Sequence, residues 1–276
     1  MVGGAQILVP ALLAGGVAIA VTVAIERWGG RIGGLVGTLP STIVPAAVGI
    51  AATSANMAAF QDAMFATPVG MFVNASFLLA WRTLPARLPI VGLHRRLLLM
   101  TTMSLVVWVV LAGLGVWGLS RATEAGIPSM WIGLAFTGAM LALGIVACRS
   151  GVPAPKGTRP VSMGVLLSRG VLAATAIGAS IALAAAGGPF LAGVIAVFPA
   201  IFLTTMVALW LAQGEAVPAG AVGPMMLGSV SVAVFADVAA LTLPSLGVAL
   251  GLSVSWCVSA LAVTIPAWLW LGRRVS

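Results

Sequence analysis

Apolar runs of about 20 residues follow one another along the whole of this 276-residue chain, each long enough to cross ~30 Å of hydrocarbon as a helix. Inside a bilayer there is no water for exposed peptide groups, so a spanning segment must be a helix or a strand of a closed barrel. Barrel strands would be ~10-residue segments of alternating polarity, whereas these runs are continuously apolar. With 61% hydrophobic and 7% charged residues, the chain reads as an all-α polytopic membrane protein. Nine transmembrane helices are expected, at 5–25, 32–53, 64–81, 97–119, 129–148, 164–186, 189–212, 219–236 and 245–271.

Basic residues orient these spans, because cytoplasmic loops concentrate Lys and Arg. A nine-span reading collects Arg27, Arg31, Arg82, Arg87, Arg95, Arg96, Arg149, Lys156, Arg159, Arg169, Arg273 and Arg274 on one side and leaves Arg121 alone on the other. Shifting the count by one central span would scatter this bias. The expected location is therefore the cell membrane (inner or plasma membrane), multi-pass, with the N-terminus outside and the C-terminus cytoplasmic. Glu26, Arg27 and Arg31 follow the first span and no basic residue precedes it, which favours a retained helix over a cleaved leader. The net charge of +8 is then topological, and no basic stripe interleaved with aromatics points to nucleic acid.

The chain also repeats itself. Aligning Pro199 with Pro40 places Gly29, Gly33, Gly37 and Ser41 on Gly188, Ala192, Ala196 and Ala200, and Gly34 on Gly193. A small residue at every fourth position makes one smooth stripe that lets a neighbouring backbone approach. The following segments correspond as well: "QDAMFATPVGMFVNAS" (61–76) with "QGEAVPAGAVGPMMLGSVS" (213–231), then a "TLP" in each half at 83–85 and 242–244. Two four-helix repeats are expected, over 1–120 and 161–276, joined by a linker with one transmembrane helix over 121–160. One odd helix between two sets of four inverts the second set, and inverted repeats are a recurring build of transporters, with the site near the midplane at the repeat interface.

Residues 163–272 resemble the GlpM-type small four-helix bacterial membrane proteins, so the whole chain looks like such a unit duplicated and fused. The resemblance rests on Arg169 near the start of the first helix, "AGVIAVFPAIF" (192–202), Glu215 in the following turn and the Trp-bearing "GLSVSWCVSALAV" (251–263). In the first half "GGLVGTLP" and Asp62 fit, and Pro10 stands where the basic residue should be. What the resemblance implies is a membrane fold more than an activity.

The stretch "GTLPSTIVP" (37–45) sets two helix breakers and three hydroxyls inside an apolar run. Counted at ~1.5 Å per residue from the inner face, Pro40 lies roughly 14 Å deep, and Pro199 reaches a similar depth from the outer face. Each proline deprives the carbonyl four residues back of its partner: Val36 for Pro40, Ser41 for Pro45 and Ile195 for Pro199. Such breaks survive in hydrocarbon only where protein groups or water satisfy the backbone. The candidate substrate pathway is a polar midplane cavity lined by Thr38, Pro40, Ser41, Thr42 and Pro45 on one side and Pro199, Thr204 and Thr205 on the other, with Asn74 as the strongest single polar candidate. The competing reading is packing, since a Ser or Thr hydroxyl can bond its own helix.

Charged groups inside a membrane are costly, about 2.5–3.5 kcal/mol each on insertion scales, and mark pathways. Asp62 and Glu215 occupy equivalent turns on opposite faces and are candidate mouth charges; Arg169, one turn inside the sixth span, and Asp237, near the outer end of the eighth, are candidate gates. All four are equally readable as caps or interfacial groups. His94, the single histidine, belongs to a basic loop, so no intramembrane His relay, zinc cluster or Ser–His pair is expected. Cys148 and Cys257 lack metal or redox spacing. An enzyme is disfavoured, and no cofactor is expected. The functional expectation is a secondary transporter or exporter of a small solute or ion, embedded in the lipid bilayer, alone or as a homo-oligomer. The alternatives are a channel, whose four-plus-one-plus-four plan and "GMFVNASFLLA" (70–80) resemble the two-domain fluoride channels, and a non-transporting membrane partner or scaffold.

Overall fold

The computed structural model describes residues 4–28, 39–88, 92–149, 162–213 and 216–272, and among them every regular element is helical. In chain order these are α1 (Gly4–Trp28), α2 (Ile43–Thr53), α3 (Met57–Thr83), α4 (Leu93–Glu124), α5 (Ser129–Arg149), α6 (Met163–Ala185), α7 (Pro189–Ala196), α8 (Ala200–Gln213), α9 (Ala216–Ser259), a π-helical turn (Ala260–Thr264) and α10 (Ile265–Gly272). Six helical stretches are long and apolar enough to cross a membrane, counting Pro189–Leu211 and Pro218–Gly272 each as one. Their outward faces are apolar too: Leu12, Trp117, Val171 and Leu261 are each more than 60% exposed. These are the surfaces of a chain embedded in lipid.

Local chemistry explains the helix ends. Asn56 caps α3 from an extended conformation, its side chain accepting from the Ala59 N–H at 2.9 Å, the interaction that makes Asn a favoured N-cap. Both α4 and α6 end in the same glycine-terminated pattern. Gly126 (φ 87) and Gly187 (φ 82) take the left-handed conformation. The next residue's N–H then reaches back five positions, Ile127 to Ala122 O and Gly188 to Leu183 O, both at 3.0 Å, which satisfies a carbonyl that the helix end would orphan.

The largest departure from the sequence boundaries is in α9. Thr242 and Ser255, 13 residues apart, would be separated by ~20 Å on a straight helix. Instead their hydroxyls lie 3.2 Å apart, and Thr242 also donates to Gly251 O at 3.2 Å. The chain therefore folds back at Gly247, whose φ 72 and ψ 173 belong to a region that only glycine enters freely. The arms are 216–246 and 248–259, the second continuing into α10. The reversal sits at 247, later than the expected gap between 236 and 245, because "TLP" (242–244) finishes a helix instead of breaking it. Pro10, Pro68 and Pro224 likewise lie inside continuous helices.

At the centre stand α3 and the first arm of α9. In α3, 83% of the most apolar stretch is buried, against 28% in α4 and 22% in α5, so α3 is wrapped by protein and the other two face outward. Around Phe60, Phe65, Ile181, Phe235 and Ala239 one apolar cluster unites α2, α3, α6, α7 and α9; a second, around Phe77, Trp81, Trp108, Trp210 and Met226, unites the second half of α3 with α4, α8 and the start of α9. The linker helix α5 buries Ser129, Gly133, Met140, Gly144 and Ala147. That three-and-four spacing is one helix face, and it lies on both central helices: a side chain at Gly133 would meet Phe65 of α3, and one at Gly144 would meet Leu227 of α9.

Candidate functional site: the proline breaks and the buried polar groups around them

The expected break at Pro199 is present, while at Pro40 only the C-terminal side can be seen, because residues 29–38 lie outside the described residues. Helix α7 stops at Ala196 and α8 starts at Ala200; α2 starts only at Ile43, after Pro40. The two interruptions share one backbone signature: Ser41 N–H donates to Leu39 O at 2.8 Å and Ala200 N–H to Phe198 O at 2.7 Å, equivalent pairs straddling the two prolines. Pro45 behaves differently. It falls in the first turn of α2, where its N–H would have no intrahelical partner, so it costs no hydrogen bond. Pro40 and Pro45 are buried, and Ser41 and Thr42 are half-buried. Thr38 and Glu215 lie outside the described residues, as do Gly29, Gly33, Gly34 and Gly37 of the first small-residue stripe.

The second break is held by side chains from three other helices. The Ile195 carbonyl, deprived by Pro199, accepts from the Phe198 N–H at 2.9 Å. Val197 O, facing out of the break, accepts from Asn74 Nδ2 at 2.6 Å, and Trp108 Nε1 of α4 donates to Asn74 Oδ1 at 2.7 Å. Asn74 is 2% exposed, so its amide serves as the link between α3, α4 and the break. Trp108 also packs edge-on against Phe198, ring centroids 5.2 Å apart. Just before the break, Ser180 of α6 donates to Ala192 O at 2.9 Å.

Just after it, Arg169 reaches in from α6. Its Nε donates to Thr204 Oγ1 and its Nη2 to Thr205 Oγ1, both at 3.0 Å, while Thr204 donates onward to Ala200 O at 2.8 Å. At 5% exposure the guanidinium is inside the protein and does not snorkel to an interface, because the paired hydroxyls replace part of its hydration. Three sequence candidates, Arg169, Thr204 and Thr205, thus form one cluster. Pro10, which the sequence alignment set opposite this cation, is buried against α2, where a side chain on Gly49 would meet it.

Close backbone approach is concentrated between α3 and α7. A Cβ on Gly193 would collide with the Ala63 carbonyl, and one on Gly70 would lie 3.0 Å from the Val194 backbone. The stripe of α7 is therefore partnered chiefly by α3. On that helix Ala63, Thr67, Gly70 and Asn74, at three- and four-residue intervals, present one matching face. The second span meets α7 through the apolar cluster that holds Ile43, Ala46 and Ala47 together with Ala192, Ala196 and Val197.

The acidic candidates separate. Asp62 is half-buried at the start of α3 and accepts from Ser129 Oγ at 2.6 Å. Asp237 lies deeper than the expected span end suggested, since α9 continues for ten residues to Gly247. It is 4% exposed and accepts from Thr137 Oγ1 at 2.6 Å through Oδ2. At the opposite end of α3, Arg82 donates to Ala147 O at 3.0 Å and to Ala219 O at 3.2 Å, tying the end of α5 to the start of α9. Trp108, Thr67, Ser180 and Thr137 went unnoticed in the sequence, and Arg82 was read only as a topological charge; the spacing of Thr67, Gly70 and Asn74 was the available signal.

No group of three or more His, Cys, Asp or Glu that could hold a metal ion occurs among the described residues. The two best-formed hollows on them are open apolar grooves, lined by Leu12, Leu13 and Gly16 of α1 and by Leu105, Val106 and Val109 of α4. Neither is lined by a residue of the two proline stretches. Comparison with family models, with curated proteins and with solved structures finds no match.

Proposed function

We propose that the chain is a secondary transporter of a small solute in a cell membrane, built from two inverted four-helix repeats around the linker helix α5 and working by alternating access at the two broken helices. The observation that carries this reading is the second break, a backbone interruption held by a buried Asn amide and a buried Arg–Thr–Thr cluster drawn from α3, α6 and α8. Its twin at Pro40 carries the same two-residue hydrogen bond. Irregular backbone at membrane depth is tolerated where protein buries it or where it lines a cavity, and discontinuous helices form the sites of inverted-repeat transporters. Arg169, Thr204 and Thr205 offer donors and acceptors to a solute once the break opens. Counting 39–53 with the run before it as one span, α7 and α8 as one, and the arms of α9 as two gives nine spans, with the GlpM-type unit as the ancestral half.

A screen of solute classes by thermal shift, followed by counterflow in proteoliposomes, tests the proposal. Saturable flux with counterflow is expected; unsaturable flux at channel rates would replace it with the channel reading, and a stable co-purified partner without flux would favour the scaffold. Within that assay Arg169→Leu should abolish flux with a melting point close to the parent's, because Thr204 keeps its own bond to Ala200 O, whereas Arg169→Lys should retain part of it. Equal flux in the parent and the Leu variant would remove Arg169 from the site. Topology is checked separately. Reporter tags at the N- and C-termini should report opposite sides of the membrane; finding both on one side would rule out the inverted repeat.

A further inference from the structure

Of all the buried polar groups described, Asp237 is placed least comfortably. It is 96% buried by the complement of its 4% exposure, its Oδ2 takes the Thr137 hydroxyl, and its Oδ1 has no hydrogen-bond partner among the described residues. The space next to Oδ1 is also specific. At Gly133 of α5 a Cβ would lie 3.0 Å from Asp237 Oδ1 and 2.8 Å from Phe65 O. Two acceptor oxygens, one from α9 and one from the backbone of α3, therefore border the same notch, which exists because residue 133 has no side chain. Phe65 O already serves the continuous helix α3, so it offers Oδ1 no donor, and a proton on the carboxyl removes the repulsion between the two acceptors.

From this notch a polar track leads outward along α5. One turn toward the N-terminus of α5, four residues from Gly133, Ser129 donates to Asp62, which is half-exposed. Beside it Gln61 donates to Ala240 O at 3.0 Å, crossing from α3 to α9. The other titratable or charged side chains described on α9 and on α2, α3, α5, α8 and α10, which pack against it, are Arg82, Cys148, Arg149 and Cys257. Arg82, Cys148 and Arg149 belong to the opposite ends of α3 and α5, and Cys257 lies on the second arm of α9 with an exposed side chain.

We propose that Asp237 is a proton-binding residue on the α3–α5–α9 seam, exchanging with the outer face past Ser129 and Asp62, and that this proton is the ion coupled to the movement of the repeats. The coupling half rests on the transport reading above; the proton-binding half does not. With the proton on Oδ1, the acid is neutral and can donate into the notch toward Phe65 O. When the proton leaves to outer water by way of the Asp62 carboxylate, a bare carboxylate remains with one hydroxyl donor in an apolar seam. A buried, underpaired charge of that kind is strongly unfavourable. The deprotonated state therefore favours a conformation in which α5 separates from α9 and water reaches Asp237, which is the differential interaction a coupled movement requires.

The test uses the full chain in lipid nanodiscs. Infrared spectra titrated between acid and alkaline pH should contain the carbonyl stretch of a protonated carboxylic acid that persists to neutral pH, disappears in alkali and is absent in Asp237→Asn. Spin labels at Ile127 and Leu246, both exposed, in a background with Cys148 and Cys257 replaced by Ala, should lengthen their separation over the same pH interval. Asp237→Asn should hold the short distance at every pH, and Asp62→Asn should leave the endpoints alone but slow hydrogen–deuterium exchange of the acid. Thr137→Val is the second variant should Asp237→Asn fold poorly: removing the one hydroxyl donor to the carboxylate should shift the loss of the acid band to higher pH. No Asp237-dependent band, or a band that Thr137→Val does not move, overturns the proton site. A normal band with a separation indifferent to pH overturns the coupling. A band and a pH-dependent separation in a protein without solute flux would sink the transport reading while leaving the proton site standing.

Discussion

Gly193→Leu should be among the most damaging single substitutions in the chain, lowering stability in detergent by about 3 kcal/mol or more. Overpacking a filled interior usually costs ~1–3 kcal/mol, and the lower values come from sites where a flexible side chain gives way. Here the obstacle is the Ala63 carbonyl of α3, and a Cβ alone would already overlap it. A backbone carbonyl inside a continuous helix cannot rotate aside, so α7 must move off α3 as a body. That movement would also strip the Thr67 hydroxyl from Gly193 O and Asn74 from Val197 O. Gly113→Leu in α4 and Gly138→Leu in α5 are the controls, since a Cβ at either position meets nothing within 4 Å. They should stay within ~0.5 kcal/mol of the parent, as changes away from packed features do. Melting points of the three variants, measured in one detergent, give the answer. If Gly193→Leu melts with the controls, α3 and α7 are not in contact, and the second break loses its support.

Asn74→Leu should come next, and should affect function as well as stability. Leu is close to Asn in size but offers no polar atom, so the change leaves Val197 O and the Trp108 indole N–H buried and unpaired. Each such orphan costs about 1–3 kcal/mol, hence roughly 2–6 kcal/mol together. Asn74→Asp separates the two bonds. Once ionised in alkali, its carboxylate still accepts from Trp108 but turns an acceptor toward the Val197 carbonyl, so most of the damage should appear there even though one bond is kept, whereas the protonated acid keeps both. In a cycle with Trp108→Phe, the coupling between Asn74 and Trp108 should reach ~0.5–3 kcal/mol, the range for residues in one network. Denaturation in mixed micelles measures all four corners. Additive losses would mean that Trp108 and Asn74 are merely neighbours, and an Asp variant as stable as the parent in alkali would show that the bond to Val197 O contributes nothing.

The class of fold was legible from the hydropathy alone. In hydrocarbon the peptide groups leave a chain like this no alternative to helices, and the run lengths placed most helices to within a few residues. Pro40 and Pro199 were readable as breaks because they sit in matched surroundings, and Asn74 and the pair Thr204–Thr205 stood out as polar groups in apolar runs. What proline does was not legible. Pro10, Pro68 and Pro224 are also deep in apolar segments, yet their helices run on. A helix opens at a proline only where neighbours can satisfy the freed carbonyls and where the packing rewards the change of direction. At Pro199 the neighbours are Asn74, 125 positions away in sequence, and Arg169 on a separate helix.

The same division runs through the charged residues. Composition determined that few would be present and that most would gather toward the ends of the apolar runs, because ionised groups are expelled from lipid. Which of them enter the protein was decided by partners. Arg169 is inside because two hydroxyls on α8 meet it, and Asp237 is inside because α9 continues past it to Gly247, while Thr137 and the missing side chain of Gly133 make room. The hairpin at Gly247 follows the same logic: the sequence placed a reversal between 236 and 245, "SLGV" (245–248) reads as an ordinary apolar stretch with one glycine, and the contact between Thr242 and Ser255 across the turn moves the reversal to 247. Hydrophobicity acts on each residue by itself and can be read one residue at a time. Hydrogen-bond satisfaction and close backbone approach are properties of pairs distant in the chain, and only the folded arrangement brings those pairs together.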